Sequence, residues 1–210
     1  MRSYRQYCGL AAALDAVGER WTLLVVRELL IGPRRYGELL ADLPGMGTNL
    51  LAERLKSLTR LGIVAKDDQV YSLTDRGRGL AGAVRELTQW GLAGLEEPDE
   101  GVVCRAHWTL GGLRAMADAR RVPGLEESYE FHIDDEVFHL EVSGGVARAG
   151  RGPAERPAMT MTTDAKTFVR LGSGRYRARD ARAEGRLTIT GDPAAGRRCA
   201  AVLGLTGGES

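Results

Sequence analysis

Tyr36-Gly37-Glu38-Leu39-Leu40-Ala41-Asp42-Leu43, then Pro44-Gly45-Met46-Gly47, then Thr48-Asn49-Leu50-Leu51-Ala52-Glu53-Arg54-Leu55-Lys56-Ser57-Leu58-Thr59-Arg60-Leu61-Gly62 decide the fold of this 210-residue chain. The first segment reads as a short helix with Leu39, Leu40 and Leu43 inward, because apolar residues recur at helical spacing. The Pro-Gly-Met-Gly run is a tight turn. Thr48 is placed to cap a second helix. Leu51, Leu55 and Leu58 are its buried stripe, and Gly62 ends it. The opposite face presents Asn49, Ala52, Glu53, Lys56 and Arg60.

Upstream, Leu10, Leu14 and Val17 give one apolar helix face, and Gly18 interrupts it. Trp21 to Ile31 is a dense apolar helix that stops at Gly32-Pro33, where proline cannot continue it. Downstream, Ile63-Val64 and Val70 to Leu73 are short β-like runs around a polar tip, Lys66-Asp67-Asp68-Gln69, which reads as a hairpin. Thr74 then caps a last helix to about Leu95. Helix, helix, short helix, turn, helix, hairpin, helix is the order of a winged helix-turn-helix. Such a unit puts the N-terminal end of its second helix into the ~12 Å major groove of duplex DNA. Asn49 suits adenine, Glu53 suits cytosine, and Lys56 suits guanine or a phosphate. Arg34 and Arg35 suit phosphate contacts that set register. A solvated surface charge stays open as the alternative for Glu53. Trp21 reads as a core anchor. Asp15, Glu19 and Glu28 read as ion-pair partners of Arg20 and Arg27.

These residues resemble the HxlR family of bacterial regulators. The likeness runs through Tyr7-Cys8, Ala13 to Leu24, Arg27-Glu28-Leu29, Gly32 to Leu39, Leu43-Pro44-Gly45, Leu51, Arg54-Leu55, Leu58, Leu61-Gly62 and Tyr71 to Thr74. It covers about residues 5–95. It implies a homodimeric winged-helix repressor or activator that pairs through its first and last helices. Two departures stand out. The hairpin is short with Asp67 and Asp68 at its tip, which repel phosphate and leave Lys66 as its one DNA candidate. Gly9 also replaces the proline that commonly follows the cysteine. Cys8 matches the position some members use to sense oxidants or electrophiles; an inert thiol is the alternative reading.

Glu96 to Gly101 is a linker by composition. After it comes a strand or loop at Val102 to Arg105 and a helix around Leu110 to Arg120. Then the period changes to two. Tyr129, Phe131 and Ile133 alternate with polar residues, as do Phe138, Leu140 and Val142, then Met159, Met161 and Thr163, then Leu187 and Ile189. Four such runs predict an antiparallel sheet with one buried face. Helices are expected at Asp164 to Leu171 and Asp192 to Leu203, the latter with Pro193 at its first position. Thr162-Thr163-Asp164-Ala165 and Ala183 to Pro193 are similar to the sterol-carrier-protein type of lipid-binding domain. That resemblance, over roughly 125–205, implies a sheet with helices on one side and often an apolar tunnel. Phe131, Phe138, Leu140, Met159, Met161 and Phe168 are the candidate pocket; a filled core is the alternative. His132 and His139 are expected on neighbouring strands beside Glu130 and Glu141, as a metal face or a solvated one.

The expected class is α+β: a winged helix-turn-helix followed by a small α/β sheet domain of sterol-carrier type, divided at 1–97, 98–124 and 125–210. Arg20 to Arg85 carries eleven basic and seven acidic residues, whereas 98–210 is balanced at sixteen of each, so the modest positive excess sits on the helical half. Arginine outnumbers lysine 26 to 3, which reads as codon bias of a GC-rich genome and not as a physical requirement. Cys8, Cys104 and Cys199 form no zinc or disulfide pattern. Met1 to Cys8 has no apolar h-region after its arginines, so no signal peptide is expected there; the sequence shows no ~18-residue apolar run for a membrane span and no catalytic, phosphate-loop or dinucleotide motif. The sequence therefore points to a cytoplasmic, non-enzymatic regulator that needs no cofactor or metal. Its expected partners are palindromic double-stranded DNA, a second copy of itself and an apolar effector. A redox sensor with a passive second domain, and a lipid carrier whose first half only dimerises, are the alternatives.

Overall fold

The computed structural model describes residues 3–97, 99 and 101–205, so Pro98 and Glu100 of the expected linker lie outside the described residues. The chain divides into two compact units, Met1–Val84 and Arg85–Ser210.

In the first unit α1 (Gly9–Val17) and α2 (Thr22–Ile31) precede the two-residue strand β1 (Arg34–Arg35). Then come α3 (Tyr36–Asp42) and α4 (Thr48–Arg60). β2 (Val64–Asp67) and β3 (Val70–Leu73) follow, then α5 (Asp75–Arg78). α6 (Ala81–Ala93) begins in this unit and continues past the division at Val84 into the second. The core gathers Val25, Val26 and Leu29 of α2, Leu39 of α3 and Leu51, Leu55 and Leu58 of α4, with Ile63, Val64 and Leu73 from the hairpin. The leucines of α3 and α4 in this core are the inward members of their helical runs, so in those segments the pattern in the chain is the core of the unit.

Several local expectations change. Thr48 is not a cap: Gly47 holds the N-cap position with extended backbone, and Thr48 is already helical. The hairpin tip is only Asp68-Gln69, since Lys66 and Asp67 are paired in β2. Asp68 takes φ 51°, a left-handed turn conformation aspartate tolerates. Arg34-Arg35 extends the hairpin into a three-stranded sheet of order β1-β3-β2. The last helix is broken: Thr74 caps α5, its hydroxyl accepting from Gly77 N, and the chain turns at Gly79 before α6. Gly77 is obligatory, because a Cβ there would stand 2.1 Å from the Ile63 carbonyl oxygen.

The second unit has α7 (Trp108–Met116), a 3-10 turn at Ala119–Arg121, then β4 (Glu127–Ile133), β5 (Glu136–Ser143), β6 (Val146–Arg151) and β7 (Pro157–Thr163). α8 (Ala165–Gly172), α9 (Ala178–Ala183), β8 (Leu187–Gly191) and α10 (Pro193–Val202) complete it. Asp192 caps α10 and Pro193 opens it, as the sequence predicts, while Asp164, expected as the first residue of α8, stands as its N-cap and accepts from Thr167 N. Val102 to Arg105 has no regular structure, and α7 stops at Met116, short of Arg120.

The sheet has five strands in the order β6-β5-β4-β7-β8. It is mixed rather than antiparallel, because β7 returns to the free side of β4 and pairs with it in parallel. Period-two alternation reports which face is buried and carries no information on strand direction. β6 escapes the pattern because its inward residues are Ala147 and Ala149, opposite Val142 and Leu140. Tyr129, Phe131, Ile133, Phe138, Leu140 and Val142 fill the inner face, each at most 1% exposed. α7, α8 and α10 supply Leu110, Leu113, Phe168, Cys199 and Val202 to the same core. Gly191 closes β8 at φ 99°, where a Cβ would meet the Ala158 carbonyl at 2.5 Å; glycine alone lets β8 turn into α10.

Candidate DNA-reading face

The face is built on α4. Leu51, Leu55 and Leu58 are each at most 2% exposed, which fixes the rotation of the helix about its axis. That rotation leaves Asn49, Ala52, Glu53, Lys56 and Arg60 exposed along the opposite side. Thr48 is exposed too, and its carbonyl accepts the Tyr36 hydroxyl at 2.6 Å, which ties the start of α4 to the start of α3. Arg35 N donates to Glu38 Oε2 at 2.5 Å, closing the first turn of α3.

The middle of α4 is held by a residue the sequence reading had given no role. Arg54 donates from Nε to the Arg20 carbonyl at 3.2 Å, from Nη2 to Glu19 Oε2 at 3.3 Å and from Nη1 to Glu53 Oε1 at 3.1 Å. Its side chain is 12% exposed. The guanidinium fork therefore clasps α4 to the turn between α1 and α2. That turn is unusual: Trp21 has φ 75°, a left-handed conformation costly for a bulky residue. The Trp21 ring packs against the backbone of Gly45, in the turn before α4, and is partly buried on the core. Glu19 thus pairs with Arg54, not with Arg20 or Arg27. Arg20 lies over the Trp21 ring at 5.6 Å, Arg27 pairs with the buried Glu28, and Asp15 accepts from Ser3 Oγ and Tyr4 N. The one available signal for the clasp was the presence of Glu19-Arg20 and Arg54 in the stretches that carried the resemblance.

The wing separates the basic candidates. Arg34, Tyr71 and Lys66 are register partners across the sheet, as are Arg35, Val70 and Asp67. Partners share a face and neighbours along a strand oppose. Arg34 and Lys66 therefore flank Tyr71 on one face, and Lys66 Nζ sits 5.5 Å above its ring. Arg35 shares the other face with Asp67. Arg34 is only 17% exposed and pairs with Asp42 at 3.5 Å, so its charge is already engaged. Arg35 is exposed.

Cys8 is exposed and stands at the N-cap of α1. The backbone N–H groups of Ala11 and then Leu10, at the start of α1, favour its thiolate and hold its pKa below the usual thiol range, although the thiol makes no capping hydrogen bond there.

The six pocket candidates of the second unit lie together. Phe131, Phe138, Leu140, Met159 and Phe168 are packed core, with the Phe131 and Phe168 rings edge to face at 6.1 Å. Met161 is partly exposed, between Phe131 and Ile189 on its two neighbouring strands. His132 and His139 do share the outer face of the sheet. His132 Nε2 bonds Glu130 at 2.7 Å, while His139 Nδ1 bonds the Gly152 carbonyl at 3.1 Å. Glu130 also accepts from Ala154 N, and its carboxyl is held below the usual range chiefly by His132. Among the described residues neither histidine joins a cluster of three metal-ligating groups.

A trihelical core, an outward-facing second helix of the helix-turn-helix and a three-stranded wing define a winged helix-turn-helix unit. Residues 16–99 match the model of the HxlR-like helix-turn-helix family, and residues 111–204 match that of the SCP-2 sterol transfer family. An HTH-type transcriptional regulator of Mycobacterium tuberculosis (strain CDC 1551 / Oshkosh) is 39% identical over 106 residues, 47% of this chain and 66% of its own length. The chain thus spans just under two thirds of that relative. The regulator YvaP of Bacillus subtilis (strain 168) is 39% identical over 85 residues, 37% of this chain and 79% of its own. The crystal structure of quinone-bound YodB from B. subtilis is 33% identical, covering 39% of this chain and 93% of that one, with a TM-score of 0.38. The chain belongs to the HxlR-like helix-turn-helix transcriptional regulators, with a domain of the SCP-2 sterol transfer family as its second half. No helix among the described residues is long and apolar enough to cross a membrane.

Proposed function

We propose that the protein is a homodimeric, sequence-specific DNA-binding regulator working in the cytoplasm, whose second unit is an effector domain for an apolar small molecule. The observation that carries the DNA reading is the exposed row Asn49, Glu53 and Lys56 on a helix pinned at its start by Tyr36 and at its middle by Arg54. Positioning to a fraction of an ångström is what base readout requires. Asn49, Glu53 and Lys56 meet base edges. Arg35, with Lys66 at the wing, meets phosphates; Thr48 lies beside the backbone. Dimerisation is supported by apolar side chains left outward on the first and last helices of the family domain: Leu10 is 68% exposed and Trp90 80%. A dimer reads a palindrome with half-sites ~34–36 Å apart or a multiple of that.

The test is selection of duplexes from a random pool, followed by salt titration. Arg35→Ala is expected to weaken all duplexes alike and to lower the slope of log K against log salt by about one unit. A changed base preference with an unchanged slope would overturn this assignment of contacts. Light scattering that finds a monomer at micromolar concentration would overturn the dimer.

The effector reading attaches to Met161, a flexible side chain that the packed core leaves partly exposed. Fatty acids, sterols and aromatic polyketides are the compounds to screen. An effector must raise the melting temperature, alter operator affinity and lose both effects in Met161→Trp. A second reading, redox control through Cys8 with a passive second unit, is favoured by the exposed, acidified thiol. Cys8→Ser abolishes any oxidant response on that reading, and an undiminished response removes it.

A further inference from the structure

We propose that the segment Arg175 to Arg186 is a second contact for the DNA phosphate backbone, outside the helix-turn-helix and built into the SCP-2 domain. The inference rests on the DNA-binding reading above. Five arginines, at 175, 177, 179, 182 and 186, stand within twelve residues against only Asp180 and Glu184. All five are exposed. They belong to a stretch, 98–210, that balances overall at sixteen basic and sixteen acidic residues, so outside this segment eleven basic face fourteen acidic residues and the positive charge is concentrated here. Arg179 pairs with Asp180 at 3.4 Å and Arg186 with Glu184 at 3.6 Å. Among the described residues, Arg175, Arg177 and Arg182 pair with no carboxylate.

Local structure holds the arginines outward. Tyr176 N donates to the Arg170 carbonyl at 3.2 Å, and the Arg170 guanidinium stacks on the Tyr176 ring at 4.1 Å. Arg170 is fixed in turn by Glu97 at 2.9 Å, and the Tyr176 hydroxyl donates to Glu184. With Tyr176 turned onto the body of the unit, its neighbours Arg175 and Arg177 project to solvent. Ala181 takes the buried side of α9 at 0% exposure, while Arg179 and Arg182 lie one turn apart on the outside. α9 is about 9 Å long, and a DNA strand offers one phosphate per ~3.4 Å of axis, so the row can meet several successive phosphates. Guanidinium groups match phosphate oxygens in bidentate geometry.

Two observations favour nucleic acid over an anionic lipid surface. A peripheral membrane segment adds apolar side chains that enter the headgroup layer. No large apolar side chain is exposed between residues 173 and 186. The chain also carries a DNA-reading helix, so duplex DNA is the polyanion held nearby whenever it is bound.

The experiment uses the full chain and its selected operator in two lengths: the minimal site, and the same site extended by about 20 base pairs on each side. The variant combines Arg175→Gln, Arg177→Gln and Arg182→Gln, with circular dichroism and melting temperature as fold controls. Wild type is expected to bind the extended duplex more tightly than the minimal one. The variant should bind the minimal duplex like wild type, lose the gain from the flanks, and show a slope of log K against log salt on the extended duplex lower by about 2–3 units, at ~0.9 per phosphate. Equal wild-type affinity for both lengths, or an unchanged slope in the variant, overturns the proposal. So does a variant that loses binding to phosphatidylglycerol vesicles while keeping wild-type binding to extended DNA. Failure of wild type to select any duplex overturns the DNA reading itself, which is a different result from loss of the flank effect alone.

Discussion

The two units each pin one helix with one arginine, and they put the pinned helix to opposite uses. Arg54 clasps α4 to the Arg20 carbonyl and Glu19. Arg198 clasps α10 to Glu127 of β4 at 2.5 Å and to Asp192 at 3.0 Å. In the first unit the clasped helix turns Asn49, Glu53 and Lys56 to solvent, so its distinctive chemistry is outside. In the second the distinctive side chains, Phe131, Phe138 and Met159, are inside, and the sheet's outer face is polar and bland. A surface built for recognition shows in residues that no core needs. A surface built around an apolar core shows only residues that any core would use.

The comparison breaks first if the units are not energetically separate. Phe131→Ala should cost the second unit about 3–5 kcal/mol, because the ring is fully buried against Phe168 and its removal leaves a cavity. Calorimetry should then show an early transition for the second unit with the other unmoved, and minimal-operator affinity should be retained. A single transition shifted as a whole would show that the two fold as one, and the separate treatment of the units would fail.

The clasps sharpen it next. Arg54→Met and Arg198→Met should each cost about 1–2 kcal/mol, since each orphans partly exposed carboxylates rather than a fully buried charge. Only Arg54→Met should reduce operator affinity, by about tenfold or more, because it loosens the helix that reads the bases. Equal losses of DNA binding in both variants would mean that α10 bears on operator binding as α4 does.

These contrasts also explain what the sequence could reveal. The helix-turn-helix was legible because Leu51, Leu55 and Leu58 sit at a spacing that a helix alone satisfies, and because Gly45 and Gly62 mark its ends with positive φ. The Arg54 clasp was not legible, since its partners lie 34 and 35 residues away and nothing local distinguishes it from a solvated arginine. Thr48 was misplaced by one residue because Gly47 can cap as readily as threonine. In the second unit the buried face of each apolar strand was legible by alternation. The parallel pairing of β4 with β7 was not, because direction is set by the path of the chain. β6 hid because alanine makes a weak alternation. The fate of Met161, partly exposed beside a fully packed core, depends on packing that no spacing records.

A smaller effect compares one buried hydroxyl in each unit. Among the described residues, Thr22 Oγ1 and Thr109 Oγ1 are buried with no hydrogen-bond partner. Each is a desolvated polar group with nothing to offset it. Thr22→Val and Thr109→Val keep the shape and remove the unpaired hydroxyl, so each should stabilise its own unit by about 1 kcal/mol. Thermal unfolding with resolved transitions reads both. Destabilisation by Thr22→Val would reveal that the hydroxyl has a partner in solution.

The smallest effect sets the cysteines of the two units against each other. Cys8 is exposed, and the N–H groups of Ala11 and Leu10 lower its pKa. Cys104 is half-buried; burial first, then the charges of Asp134 and Asp164, raise its pKa. Cys199 is buried and pushed up strongly by desolvation. The thiolate is the nucleophile, so alkylation by iodoacetamide should rise with pH for Cys8 at a midpoint below that of a free thiol near ~8.5, and for Cys104 at a midpoint above it. Cys199 should react only on unfolding. The linkage signs are opposite. For Cys8 the folded chain favours the charged form, so its contribution to stability is present above the unfolded pKa and is lost as pH falls through the lower folded value. For Cys104 the folded chain favours the neutral thiol, so stability is lost as pH rises past the unfolded value, where the unfolded thiol ionises and the folded one does not. As pH rises toward the free-thiol value, then, the helical unit gains slightly from its thiol, and as pH passes that value the sheet unit begins to lose. Mass spectrometry of alkylated peptides on either side of that value separates the sites. A Cys8 midpoint at or above that of a free thiol would show that the N-terminus of α1 does not support a thiolate, and would take the redox reading with it.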